Sequence, residues 1–137
     1  MPDCVQRSRV RWTDMEIAFY RGNFRDDSLN GVNRGWIVGA FIEDGPRRTE
    51  DVEIKYWEYP PGPTGHGRKV SRIIEVTFLL RGKTLAEIGE KRLVLEAGDY
   101  VVIRPDTPNN TVLDILEDAA GLTIKAPSDI SAKRVMP

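Results

Sequence analysis

Turn-forming residues recur along this chain too often for long helices to form. From residue 36 onward, short runs rich in β-branched and aromatic residues alternate with clusters of Gly, Pro, Asn and Asp. The spacing is roughly 8–12 residues, as in all-β sandwiches and barrels. The runs are 36–42 (WIVGAFI), 52–59 (VEIKYWEY), 73–80 (IIEVTFLL), 84–88, 92–95, 100–103, 111–116 and 122–125. Between them lie the turns 43–50 (EDGPRRTE), 60–63 (PPGP), 89–91 (GEK), 96–99 (EAGD), 105–110 (PDTPNN) and 117–121 (EDAAG), with Gly82 ending the third run. Consecutive prolines lack the N–H that a ladder needs and exclude helix. No segment holds a 3.6-residue apolar period over three turns. A double-sheet jelly roll of about eight strands closes such a pattern with few exposed edges.

The flanks are less regular. Residues 11–20 (RWTDMEIAFY) fit either an early strand or one helical turn, and 23–35 (NFRDDSLNGVNRG) read as a loop. That loop lacks the spacing and terminal Glu of a calcium-binding hand. Three parts follow: an N-terminal arm and loop (1–35), a β-barrel (36–128) and a polar, proline-bounded tail (129–137).

Composition narrows function by exclusion. With 137 residues the chain suits one domain. The 20 Lys+Arg against 21 Asp+Glu give a net charge of −1, which steers it toward neither nucleic acid nor acidic lipid. The run Arg7, Arg9, Arg11 is local and reads as a solvated arm. One cysteine, Cys4, excludes an internal disulfide and a cysteine-cluster metal site. One histidine, His66, limits imidazole ligands to one per chain. No apolar run can span a bilayer and the N-terminus has no signal-type segment, so a cytoplasmic location is expected.

Two stretches carry a family resemblance: 62–82 (GPTGHGRKVSRIIEVTFLLRG) and 98–113 (GDYVVIRPDTPNNTVL). They resemble the paired motifs of the cupin superfamily. The first is Gly, five residues, His-x-His, three or four residues, Glu, six residues, Gly. Gly62, Glu75 and Gly82 fall in register with four residues before the Glu. The second is Gly, five residues, Pro-x-Gly-x-x-His, three residues, Asn, opened here by Gly98. The resemblance implies an all-β cupin double-stranded β-helix and a homodimer. It also exposes departures. In that register the motif histidines fall at Arg68, Val70 and Asn109, and the motif Asn at Leu113. Arg carries a fixed cation and Val no donor, so the usual three-His, one-Glu metal centre is not expected and no cofactor is assigned.

Candidate site residues follow from these placements. Glu75 is expected to face the barrel interior with Thr77, paired with Arg68, which would otherwise grip a carboxylate or phosphate. The alternative is a structural ion pair plugging an obsolete site. His66, between two glycines, is either an inert residue at the barrel mouth or a general acid/base oriented by Glu75 or Asp106. Trp57 and Tyr59 share a strand face with Lys55 and can line a pocket, a core or a dimer interface. Arg104 and Asn109 sit by the rim turn as further ligand contacts. The expected function is binding, with transformation such as isomerisation, of a small polar or anionic molecule without a transition metal. His66 and Glu75 would be catalytic. The alternatives are a metal-dependent enzyme with a reduced His66–Glu75 centre and a non-catalytic sensor or scaffold.

Overall fold

The computed structural model describes residues 18–30 and 34–136. Cys4, the arginine run and most of residues 11–20 lie outside them. Among these residues one helix and nine strands are formed, in the order α1 (Phe24–Asn30), β1 (Trp36–Val38), β2 (Glu53–Tyr59), β3 (Gly62–Pro63), β4 (Lys69–Ser71), β5 (Ile74–Ile88), β6 (Lys91–Glu96), β7 (Tyr100–Ile103), β8 (Asn109–Ala126) and β9 (Lys133–Val135). No helix among the described residues is long and apolar enough to cross a membrane.

Two long strands organise the barrel. β8, 18 residues, pairs antiparallel with β2, β3, β4 and β5, and β5, 15 residues, with β6, β7 and β8. The first halves of both belong to different ladders from their second halves. Ile74–Leu79 lies between β7 and the end of β8, whereas Lys83–Ile88 lies between β6 and its beginning. The register shifts between them fall around Leu79–Thr84, where both strands bend. Gly82 makes the bend possible: its φ is +83°, and a Cβ there would strike the backbone of Asp118. Gly82 therefore bends a continuous strand rather than ending one. Between the two halves lies the core of Trp57, Leu79, Ala86, Leu95, Ile115 and Ala119.

Four further expectations are corrected. Residues 117–121 are not a hairpin turn but the middle of β8. The presumed loop at 23–35 contains α1. Asn23 caps it, its side-chain oxygen accepting from the N–H groups of Arg25 (3.0 Å) and Asp26 (3.3 Å), and Asp26 and Asp27 suit its positive end. Phe24 then packs on Tyr56 at 4.3 Å between centroids. The strand at 36–42 is only Trp36–Val38, because the chain turns after it: the Gly39 N–H donates to the Arg47 carbonyl (3.0 Å) and the Ile42 N–H back to the Gly39 carbonyl (3.3 Å). Finally, the tail supplies β9, which pairs with β4 through Lys69–Val135, Val70–Arg134 and Ser71–Lys133.

Candidate functional site

Directly paired residues of neighbouring strands share a sheet face, so the register fixes what points inward. One inward row reads Ile103–Glu75–Lys125–Glu53 across β7, β5, β8 and β2. The next reads Val101–Thr77–Thr123–Lys55–Trp36, and a third Leu79–Gly121–Trp57. Opposite charges therefore alternate along the first row, and a glycine opposite Trp57 gives the indole room.

Over these rows lies a cavity of about 180 Å³. Its walls include Trp57, Tyr59, His66, Lys69, Thr123, Lys125 and Lys133. A second hollow of about 340 Å³ shares Trp36, Lys55, Lys125 and Lys133 with it and reaches Glu53 and Ser71. Four lysines thus converge from β2, β4, β8 and β9.

Glu75 is 2% exposed and lies beneath the cavity wall. One carboxylate oxygen meets the Lys69 ammonium at 2.9 Å and that of Lys125 at 3.6 Å; the other accepts from Thr77 at 3.2 Å. Burial by itself would raise its pKa, but the two lysines and the hydrogen bonds from Lys69 and Thr77 overcome that and hold the carboxyl below its ordinary range. The hydroxyl network has a direction. Trp57 Nε1 donates to Thr123 at 3.1 Å, and the Thr77 hydroxyl donates its one hydrogen bond to Glu75. Thr123 therefore donates to Thr77 across their 3.3 Å contact.

The lysines are perturbed in turn. Burial, then the charges of Lys133, Lys69 and Arg34, lower the pKa of Lys55. Burial and Lys69 lower that of Lys125 against the opposing pull of Glu75 and Glu53. Burial raises the pKa of Glu53, despite Lys125, Lys133, Lys69 and a 3.4 Å hydrogen bond from Ser128.

At the mouth the Tyr59 hydroxyl and His66 Nε2 are 3.0 Å apart, the donor depending on the imidazole tautomer. Burial raises the Tyr59 pKa, so the phenol keeps its proton. Asn110 tethers this loop: its amide N–H donates to the His66 carbonyl (2.7 Å) and its oxygen accepts from Val112 N–H (3.1 Å).

The structure brings together Trp57, Tyr59 and His66 around the cavity, with Glu75 and Thr77 behind its wall. It does not bring Arg68 to Glu75. Arg68 turns outward to Glu87 (3.3 Å) and the Gly89 carbonyl (3.2 Å), and Lys69 takes the expected place. A one-residue slip in a strand exchanges faces, and the cupin motif allows it. Counted with three residues before Glu75, its histidine positions become Lys69 and Ser71, which face the two hollows. Asp106 lies in a separate groove with Val70 and Arg72, away from His66. Arg104 is exposed in the rim turn. Asn109 is buried, donates to the Thr107 carbonyl at 3.0 Å, and has no partner for its side-chain oxygen among the described residues. Sequence reasoning missed Lys69, Lys125 and Lys133 as cavity residues. Lys125 had a signal, since Leu122-Thr123-Ile124-Lys125 alternates apolar and polar.

The donor set does not fit the three-imidazole, one-carboxylate metal centre of cupins. Two ammonium groups already face the Glu75 carboxylate, and a divalent cation beside them would be repelled. His66 is engaged at the mouth with Tyr59. No group of three or more His, Cys, Asp and Glu suited to a metal occurs among the described residues.

No protein-family model matches the chain, and no curated protein matches it in sequence. Among solved structures, it is similar to an uncharacterized conserved protein with a double-stranded β-helix domain from Klebsiella pneumoniae (16% identity, 89% of this chain and 99% of that one, TM-score 0.61). It is also similar to an RmlC-like cupin from Shewanella frigidimarina (13% identity, 60% and 71%, TM-score 0.51). A third similarity is to oxalate decarboxylase from Bacillus subtilis (13% identity, 64% and 24%, TM-score 0.54), of whose length the match spans about a quarter. The fold is that of the cupins, an all-β double-stranded β-helix.

Proposed function

We propose that the chain binds a small organic anion in the lysine-lined cavity and acts on it by proton transfer. One observation carries the reading: Lys55, Lys69, Lys125 and Lys133 converge on adjoining hollows, with two buried carboxylates, Glu75 and Glu53, behind them. With Arg34 and Asp129, which also line the second hollow, five cationic side chains stand against three carboxylates, and an anionic guest offsets the excess positive charge. The volume of about 180 Å³ holds a molecule of a few heavy atoms, about the share of six liquid waters. Lys133 and Lys55 take the role first assigned to Arg68, and Trp57 supplies an apolar wall. Tyr59 and His66, hydrogen-bonded at the mouth, are placed to relay a proton. Glu75 positions Lys69 and Lys125 rather than touching the guest.

Isothermal titration with lactate and with neutral lactamide tests this. Lactate should bind, more weakly as salt rises, and lactamide should not. Lys133→Met should weaken lactate binding about tenfold, the loss of one partly screened charge contact. Equal binding of the two probes, or an unchanged Lys133→Met, would sink the reading.

A further inference from the structure

We infer that Lys55 is an amine nucleophile that condenses with the carbonyl carbon of a 2-oxo acid held in this cavity. The inference rests on the anion-binding reading and names its substrate class. Geometry separates Lys55 from the other three lysines: Lys133, which also borders both hollows, is exposed on β9, whereas Lys55 is half-buried on β2. Lys69 and Lys125 direct their ammonium groups at Glu75, whereas no carboxylate pairs with Lys55 among the described residues. Lys55 borders both hollows, between the pairing positions of Trp36 and Thr123, with its Nζ 5.2 Å from the centre of the Trp36 indole.

Its charged surroundings act one way. Lys133, Lys69 and Arg34 all disfavour a further cation there, and burial acts in the same direction. The Trp36 face opposes this weakly, as an attraction for the ammonium form. A desolvated lysine beside other cations is the environment that frees an amine for attack. The same cations suit the carboxylate next to the carbonyl, and the indoles of Trp36 and Trp57 leave a short apolar chain in place.

The step balances without an outside oxidant or reductant. The Lys55 lone pair forms a C–N bond and the carbonyl π pair moves to oxygen. One proton passes from the new ammonium nitrogen to that oxygen, and a second comes from the Lys133 ammonium. Water leaves, a protonated imine remains, and Lys133 regains its proton from solvent. The cationic imine draws electrons from the adjoining carbon, where a proton can be removed and returned.

The test treats the full chain with pyruvate and sodium cyanoborohydride, which reduces an imine to a stable amine, followed by intact-mass and peptide mapping. One adduct per chain is expected, carried by Lys55 in large excess over any other lysine. Lys55→Arg, which removes the nucleophile, should lose the adduct. Mapping the unsubstituted chain keeps the test decisive if that variant misfolds. Lactate binding without a pyruvate adduct, or adducts spread over many lysines, overturns the imine and leaves the binding reading intact. Failure of both lactate and pyruvate to bind overturns both.

Discussion

At Glu75 two positive side chains meet one negative one in a place almost without water. Replacing it by Gln keeps the shape and strands both ammonium groups. Glu75→Gln should cost about 3 kcal/mol, the usual scale for breaking a buried pair, read as a lower urea midpoint at unchanged slope. The pH dependence has a definite sign. The folded pKa of Glu75 is depressed, so its stabilisation is fully present above the ordinary value of 4.5 and is lost as pH falls through the folded value. Below pH 4.5 the native protein should therefore lose stability more steeply than Glu75→Gln, in urea titrations across that range. The carboxylate itself was legible in the sequence, from its place between two glycines. Its partner was not, because Arg68 and Lys69 are adjacent cations and only the strand register tells which one faces inward.

Among the elements, β8 shows how small residues mislead. Ala119, Ala120 and Gly121 look like a turn after Glu117-Asp118. They are small because neighbouring strands come close: a Cβ on Gly121 would overlap the Trp57 indole and lie 2.6 Å from the Phe78 carbonyl oxygen. Gly121→Ala should destabilise by about 2 kcal/mol through overpacking, and Trp57 fluorescence should shift as the indole moves. Thermal unfolding with emission spectra checks both. The hairpin of β5 and β6 around Gly89, and β7 after Gly98, stand where turn chemistry puts them. β9 was hidden, since Lys-Arg-Val is polar and short and is recruited only by the open edge of β4. Likewise α1 spans seven residues rich in residues that also favour loops, and its cap and its contact with Tyr56 decide the outcome.

On the scale of the molecule, the outward face of β5 and β7 carries an apolar strip. Leu80, Tyr100 and Val102 are 48%, 63% and 51% exposed, and Phe78 lies against Tyr100 at 5.9 Å. A homodimer joined through this strip is the expected assembly, as water-exposed apolar surface of this kind favours association. Sedimentation equilibrium should give a dimer for the native chain and a monomer for Tyr100→Asp; a native monomer at high concentration would exclude it. The barrel class was legible because alternation and turns are local signals, whereas the site is built by pairing distant segments. Its walls draw on residues as far apart as Trp36 and Val135. Contacts of such long range form late and slowly during folding. A fragment that lacks the strand bearing Lys133 lacks part of the recess, so under the proposed binding reading it should hold an organic anion less tightly than the whole chain.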